Sequence, residues 1–395
     1  MSEQVQGLEE RGTGAGTFLL RLVLVLAAVV AFVLLFKRAT APERPLQALL
    51  DAEVKALNQA DWTAFQALQD PADPGFLRYQ KTQFDALLQA RRQGQVSATE
   101  PQPPLRIVEV NRHDDRAWAL VTKEPEGDST LAEDAQPPAK IEFFRREYGQ
   151  WLHTGPNADH WGSVQESSTE HVTWHYREAD AGQVAHLAAT AESLIGQVCD
   201  DVGMELEAGA LVIDVCYSLS CSHVIYPLEG VLDLPTPLLL GLSEDGVESL
   251  LAHSLADYLI GRATELERGV AGLRLATTLL NGIERWEVVQ VVGAAPDSDP
   301  LAVLRQAAAG GTLLTLNDLD DPTQADNGAL SYGEAYTLVE FIVARYGRQV
   351  LPDLVRAAGH HVGVVDSLQE ALGPNLDLAA FEADWLAFVQ ERYGE

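Results

Sequence analysis

The sequence predicts an α+β protein: an N-terminal transmembrane helix, then two folded domains, the second with a helical C-terminal half. Three observations predict it. The run from Thr17 to Phe36 is apolar except for Thr17 and Arg21. Between Leu46 and Thr154, helical spacing of apolar residues gives way to extended stretches. After a strand, helix, strand opening, the chain from Val247 onward reads as a succession of helices. The boundaries are an N-terminal tail, 1–16; a transmembrane helix, 17–36; a linker, 37–45; a first domain, 46–162; and a second, 163–395.

The 20 residues from Thr17 to Phe36 match the roughly 20 a helix needs to cross a bilayer. Arg21 sits near one end, where its long side chain can snorkel to the interface. A cleavable signal peptide is the alternative, with Ala39-Thr40-Ala41 as its site. The long apolar region and the basic pair Lys37-Arg38 speak for an uncleaved single-pass anchor. Lys37, Arg38 and Arg44 follow the span while Arg11 and Arg21 precede or enter it, which favours a cytoplasmic C-terminal side by a rule that is weak for large domains. Ala39 to Pro45, with two prolines, reads as the linker.

Length and charge limit the rest. At 395 residues the chain exceeds what one hydrophobic core usually serves. Lys and Arg total 27 against 58 Asp and Glu, and the formal charge of -31 repels phosphate backbones, so nucleic acid is excluded as a partner. The acidic residues are spread along the chain, and 47% hydrophobic content suits a folded body with a solvated acidic surface. Cys199, Cys216 and Cys221 leave at least one thiol unpaired. Cys216 and Cys221 could pair across a turn, but a lone C-x4-C is weak ground for zinc, and structural or free cysteines are expected.

In the first domain Leu46, Leu49, Leu50, Val54 and Leu57 repeat at helical spacing, a second helical stretch covers Trp62 to Leu68, and a third Gln80 to Arg92. Extended segments follow at Leu105–Asn111, Ala117–Lys123, Ile141–Arg146 and Trp151–Thr154, the last two joined by a hairpin turn at Glu147-Tyr148-Gly149-Gln150. Helices followed by an antiparallel sheet, with the run Phe143-Phe144-Arg145-Arg146-x-x-Gly149-x-Trp151-Leu152, resemble the NTF2-like fold. The resemblance implies a bent sheet whose concave face can hold a ligand, with Trp118, Phe143 and Trp151 as lining. Plain core is the simpler role for such aromatics, and a spacer or interaction module is the default.

In the second domain His171 to Tyr176 alternates like a strand, Ala179 to Val202 reads as a helix ending before Gly203, and Ala210 to Val215 as a buried strand. Helical stretches follow at Val247–Ala263 and Gly272–Val292, with three or more after them. Leu251-Ala252-His253-Ser254-Leu255-Ala256-Asp257 resembles the L-A-H-E-L-A-H helix of gluzincin zinc peptidases, in particular the peptidase MA-like families. There two histidines at i and i+4 hold zinc, and the Glu after the first deprotonates the metal-bound water. Leu279-Leu280-Asn281-Gly282-Ile283-Glu284-Arg285-Trp286-Glu287 resembles the family's W-L-N-E-G-x-A-E-Y, whose first Glu is the third ligand. Stretches from Tyr332 to Gly347 and from Phe381 to Gly394 look like the family's closing helices, so the resemblance spans 163–395.

Carried over by position, His253 keeps the first ligand, Ser254 replaces the general base, Asp257 the second histidine and Asn281 the third ligand; a one-residue gap deletes that Glu instead. No catalytic residue and no cofactor are therefore expected. A residual zinc site on His253, Asp257, Glu284 and Glu287 is the alternative. His360-His361 reads as a helix cap or an exposed pair, and His153, His160, His171 and His175 have no carboxylate at a telling spacing. The expectation is a membrane-anchored, noncatalytic pseudo-metallopeptidase serving as a binding or structural module for a protein or peptide partner. The resemblance places its soluble part outside the cytoplasm, against the basic flank. A divergent zinc metallohydrolase and a membrane-tethered NTF2-like sensor are the alternatives.

Overall fold

Leu46, Leu49 and Leu50 share one face of α1 (Arg44–Asn58), which has a proline in its first turn, where the missing amide costs no helical bond. The computed structural model describes residues 43–92, 102–123, 139–217, 230–268, 278–293, 299–320, 328–361 and 363–394. Among them no helix is long and apolar enough to cross a membrane, and Thr17–Phe36 lies outside the described residues. The chain divides into two units, the first ending at Gly155 and the second running from Pro156 to Glu395 together with Gln136–Ile141.

In the first unit α1 is followed by α2 (Trp62–Gln66), whose N-cap Asp61 accepts the Ala64 amide at 3.0 Å, and by α3 (Pro74–Arg92), where Asp73 accepts the Phe76 amide at 2.9 Å. A four-stranded sheet is ordered β1 (Leu105–His113), β2 (Arg116–Lys123), β3 (Ala139–Glu147), β4 (Gln150–Thr154). The β3–β4 hairpin closes at Glu147 opposite Gln150, and its two turn residues, Tyr148 (φ 47°) and Gly149 (φ 87°), both take the positive φ that a two-residue turn needs to match strand twist. The α1 leucines cover Ala117, Ala119, Val121, Phe144 and Trp151. Phe143 and Trp151 are buried and Trp118 half-buried.

The second unit opens on a 3-10 turn (Ala158–Trp161) and a sheet ordered β5 (Val164–Ser168), β6 (Val172–Arg177), β7 (Leu211–Cys216), β8 (Val231–Pro235). β5 is antiparallel to β6; β6, β7 and β8 are parallel, with α4 (Ala181–Val202) crossing from β6 to β7. α4 ends at Gly203 in the left-handed conformation (φ 69°), as its sequence position suggests. Then come α5 (Pro237–Leu240), α6 (Glu244–Arg268), α7 (Thr278–Val292), α8 (Asp299–Gly310), α9 (Gly328–Tyr346), α10 (Leu351–His360), α11 (Val364–Leu372) and α12 (Leu378–Tyr393). The overall class is α+β.

Two particulars differ from the sequence reading, a domain boundary and two strands. The second unit begins at Pro156 rather than at 163, because Trp161 is fully buried and packs 5.1 Å from the ring of Tyr217. β5 was not foreseen, being a polar edge strand that lacks alternating burial, and β8 was too short to stand out. Cys216 is disulfide-bonded, whereas Cys199 is a buried free thiol whose pKa burial raises to about 11. The one further cysteine of the sequence, Cys221, lies outside the described residues.

Candidate functional site

The middle of α6 is enclosed by its neighbours: Leu251, Ala252, Leu255, Ala256, Leu259 and Ile260 are all buried. His253 and Asp257, one turn apart, are only half-buried. α7 packs beside α6 and also against α9, where Gly282 allows the closest approach: a Cβ there would lie 2.4 Å from the Ala335 carbonyl oxygen. From this position α7 presents Glu284 to α6, and His253 Nδ1 lies 3.1 Å from Glu284 Oε1. The Glu284 side chain is 12% exposed and that of His253 39%.

The structure thus joins two of the sequence candidates, His253 and Glu284. It does not add the others. Ser254 is turned back into its own helix, its hydroxyl donating to the Leu250 carbonyl at 2.8 Å. Glu287, one turn beyond Glu284, is fully buried against Gln197 of α4. Asn281 is half-buried, and an amide is a poor ligand for zinc. Among the described residues no three His, Cys, Asp or Glu side chains are gathered to hold a metal ion. A catalytic zinc site asks for three N, S or carboxylate ligands and an adjacent base. His253 and Glu284 are bonded to each other and a serine stands in the base position, which is not the donor set of a catalytic zinc.

His253 is also one of several. His171 Nδ1 lies 2.7 Å from Glu192, His175 Nδ1 2.6 Å from Asp214, and His360 and His361 lie 2.7 and 2.6 Å from the two oxygens of Glu370. In so acidic a chain an imidazole readily finds a carboxylate, so the His253–Glu284 pair needs no metal to explain it.

The first unit holds a centre that the sequence did not reveal. His153 on β4 is buried, with Nδ1 2.9 Å from Glu53 of α1 and Nε2 2.9 Å from Glu142 of β3. Gln69 donates to the same Glu53 oxygen at 2.6 Å. Both ring nitrogens face carboxylates, so both carry protons and the ring is an imidazolium. Burial alone would lower its pKa, but the charges of Glu53 and Glu142 outweigh burial and raise it to about 10. Phe76 meets the ring edge-on at 5.0 Å and Phe144 stacks on it at 5.4 Å. Nearby, Asp70 takes two hydrogen bonds of 2.6 Å from Arg145 and one of 3.1 Å from Thr154, and the bond to Arg145 is the main reason its pKa is lowered. With both its nitrogens engaged and no exposed face, His153 can hold elements together but cannot reach a substrate.

The chain matches no model of a known protein family and no curated protein.

Proposed function

We propose that the protein is a membrane-anchored, noncatalytic module whose second unit has the frame of a gluzincin peptidase without its chemistry, and which serves as a binding or structural component. The observation that carries this reading is the His253–Glu284 pair. A histidine from α6 faces a carboxylate from α7, one turn beyond the Asn281 that the alignment puts in the third ligand position, while Ser254 is bonded to its own backbone. The pairing across the two helices speaks for the frame, and Ser254 speaks against its chemistry, because a serine hydroxyl is no base near neutral pH.

The proposal is tested by restoring the missing groups. With Glu284 already facing His253, the double change Ser254→Glu and Asp257→His supplies the second imidazole and the base. The full-length variant in detergent is expected to take up about one zinc per chain where the natural chain takes none. Metal analysis after dialysis reads this. A folded double variant that binds no zinc sinks the gluzincin frame, and stoichiometric zinc with peptidase activity in the natural chain sinks the noncatalytic reading.

The anchor belongs to the same proposal: Thr17–Phe36 holds the chain in the membrane with both units on the extracytoplasmic side. The disulfide at Cys216 supports that side, since such bonds persist in oxidising compartments. The protein should stay in the membrane pellet through alkaline carbonate washing, and protease added to intact cells should digest both units. Release into the supernatant, or protection from the protease, would contradict the assignment.

A further inference from the structure

α7 carries two carboxyl groups one turn apart in opposite settings. Glu284 faces His253, whereas Glu287 is 0% exposed, in the company of groups from α4 and from the turn after α9. Its Oε2 accepts from the Gln197 amide at 2.8 Å, and Arg348 stands 3.9 Å from that oxygen. Its Oε1 is buried with no donor in hydrogen-bond reach. The Asp201 carboxyl lies within hydrogen-bond range of Glu287 and is itself held by Arg348, Nε to Oδ1 at 3.0 Å and Nη2 to Oδ2. Arg348 is braced in turn by the Trp286 ring, 5.0 Å from its guanidinium carbon.

An ionised Glu287 would leave a buried oxygen bare beside a second carboxylate, the costly case for a polar group without water. Protonated, the carboxyl gains a donor, for which the Asp201 carboxyl in range is an acceptor. We propose that Glu287 is held as the neutral acid, and that the proton it shares with Asp201 clasps α7 to the C-terminal end of α4 and to Arg348, a clasp that alkaline pH opens. Burial, the largest cause, pushes the Glu287 pKa up to about 8, and Asp201 adds to the rise while the Gln197 hydrogen bond and Arg348 oppose it.

The other elements packed on α7 present different groups. α6 offers His253, which is taken by Glu284; α9 offers Tyr332 and Tyr336 to Arg285; and α10 buries Leu351, Leu354, Val355 and Ala358, none of which titrates. Glu334 of α9 is a separate buried acid, pushed to about 8 by burial while accepting the Leu314 amide at 2.9 Å.

The sign is fixed by the direction of the shift. A carboxyl whose folded pKa is raised stabilises fully below its unfolded value, near 4.5, and that contribution is lost as pH climbs through about 8. The test is thermal unfolding of the full-length protein in detergent, followed by circular dichroism across that window, for the natural chain and for Glu287→Gln, which imitates the neutral acid. The variant is expected to gain on the natural chain by about 5 °C or more between the acid and alkaline ends of the window, Glu334 contributing equally to both curves. Parallel curves would overturn the proposal. If Glu287→Gln does not fold, Asp201→Asn asks the same question: it removes the second carboxylate, offers an amide donor in its place and frees Arg348 for Glu287, so the alkaline decline should shrink. An undiminished decline in that variant would overturn it equally.

Discussion

His153→Ala is expected to destabilise the first unit by about 3–5 kcal/mol near neutral pH, the usual cost of removing one partner from a buried ion network. The change leaves Glu53 and Glu142 facing each other in the core without the cation between them, and it empties the space that Phe76 and Phe144 enclose. The natural chain has its own signature. The imidazolium has its pKa raised from 6.5 to about 10, so its stabilisation is complete below about pH 6.5 and is lost as pH rises through about 10. The variant lacks that cation, so the alkaline loss should be absent from its curve. Urea unfolding of both proteins at acid, neutral and alkaline pH measures this. A variant within about 1 kcal/mol of the natural chain at neutral pH would mean that the triplet is not the electrostatic tie described here.

Apolar spacing does not disclose the His153 centre. Helical spacing carries the apolar stripe of α1 from Leu46, Leu49 and Leu50 to Val54 and Leu57, but the next buried positions are Glu53 and Ala56. A glutamate three residues after Leu50 on an apolar face is itself a signal, since a buried carboxylate demands a partner. Its partner His153 lies 100 residues away in sequence, and no spacing rule reaches that far. The β3–β4 hairpin, by contrast, was readable to the residue, because turn chemistry and alternation are local. In the second unit the α6 motif placed His253 and Ser254 correctly on one helix. The alignment puts Asn281 in the third ligand position and keeps Glu284 and Glu287 as alternatives, and packing brings Glu284 against His253. The choice between two residues one turn apart on α7 depends on how that helix is set against α9, and the sequence carries this only through Gly282.

Gly282→Ala should accordingly have a large effect for a single methyl group. Alanine favours a helix over glycine by about 1 kcal/mol, so an open site would be stabilised by the change. Here the added Cβ would stand 2.4 Å from the Ala335 carbonyl oxygen, 2.8 Å from its carbon and 3.2 Å from Val339 Cγ2. Two of these are backbone atoms inside α9, which cannot turn aside as a flexible side chain would. The helices must therefore separate, and overpacking of this kind is expected to outweigh the propensity gain, for a net loss of about 2 kcal/mol or more in the second unit. Separation also draws Glu284 away from His253. In the Ser254→Glu, Asp257→His background, adding Gly282→Ala should weaken zinc binding by about 10- to 100-fold, the scale on which displaced supporting groups affect metal affinity. Competition with a chromophoric chelator reads the affinity, and thermal unfolding without metal reads the stability. If Gly282→Ala is neutral in both, the close contact of α7 with α9 does not set the position of Glu284, and the His253–Glu284 pair must be held by the packing of α6 and α7 alone.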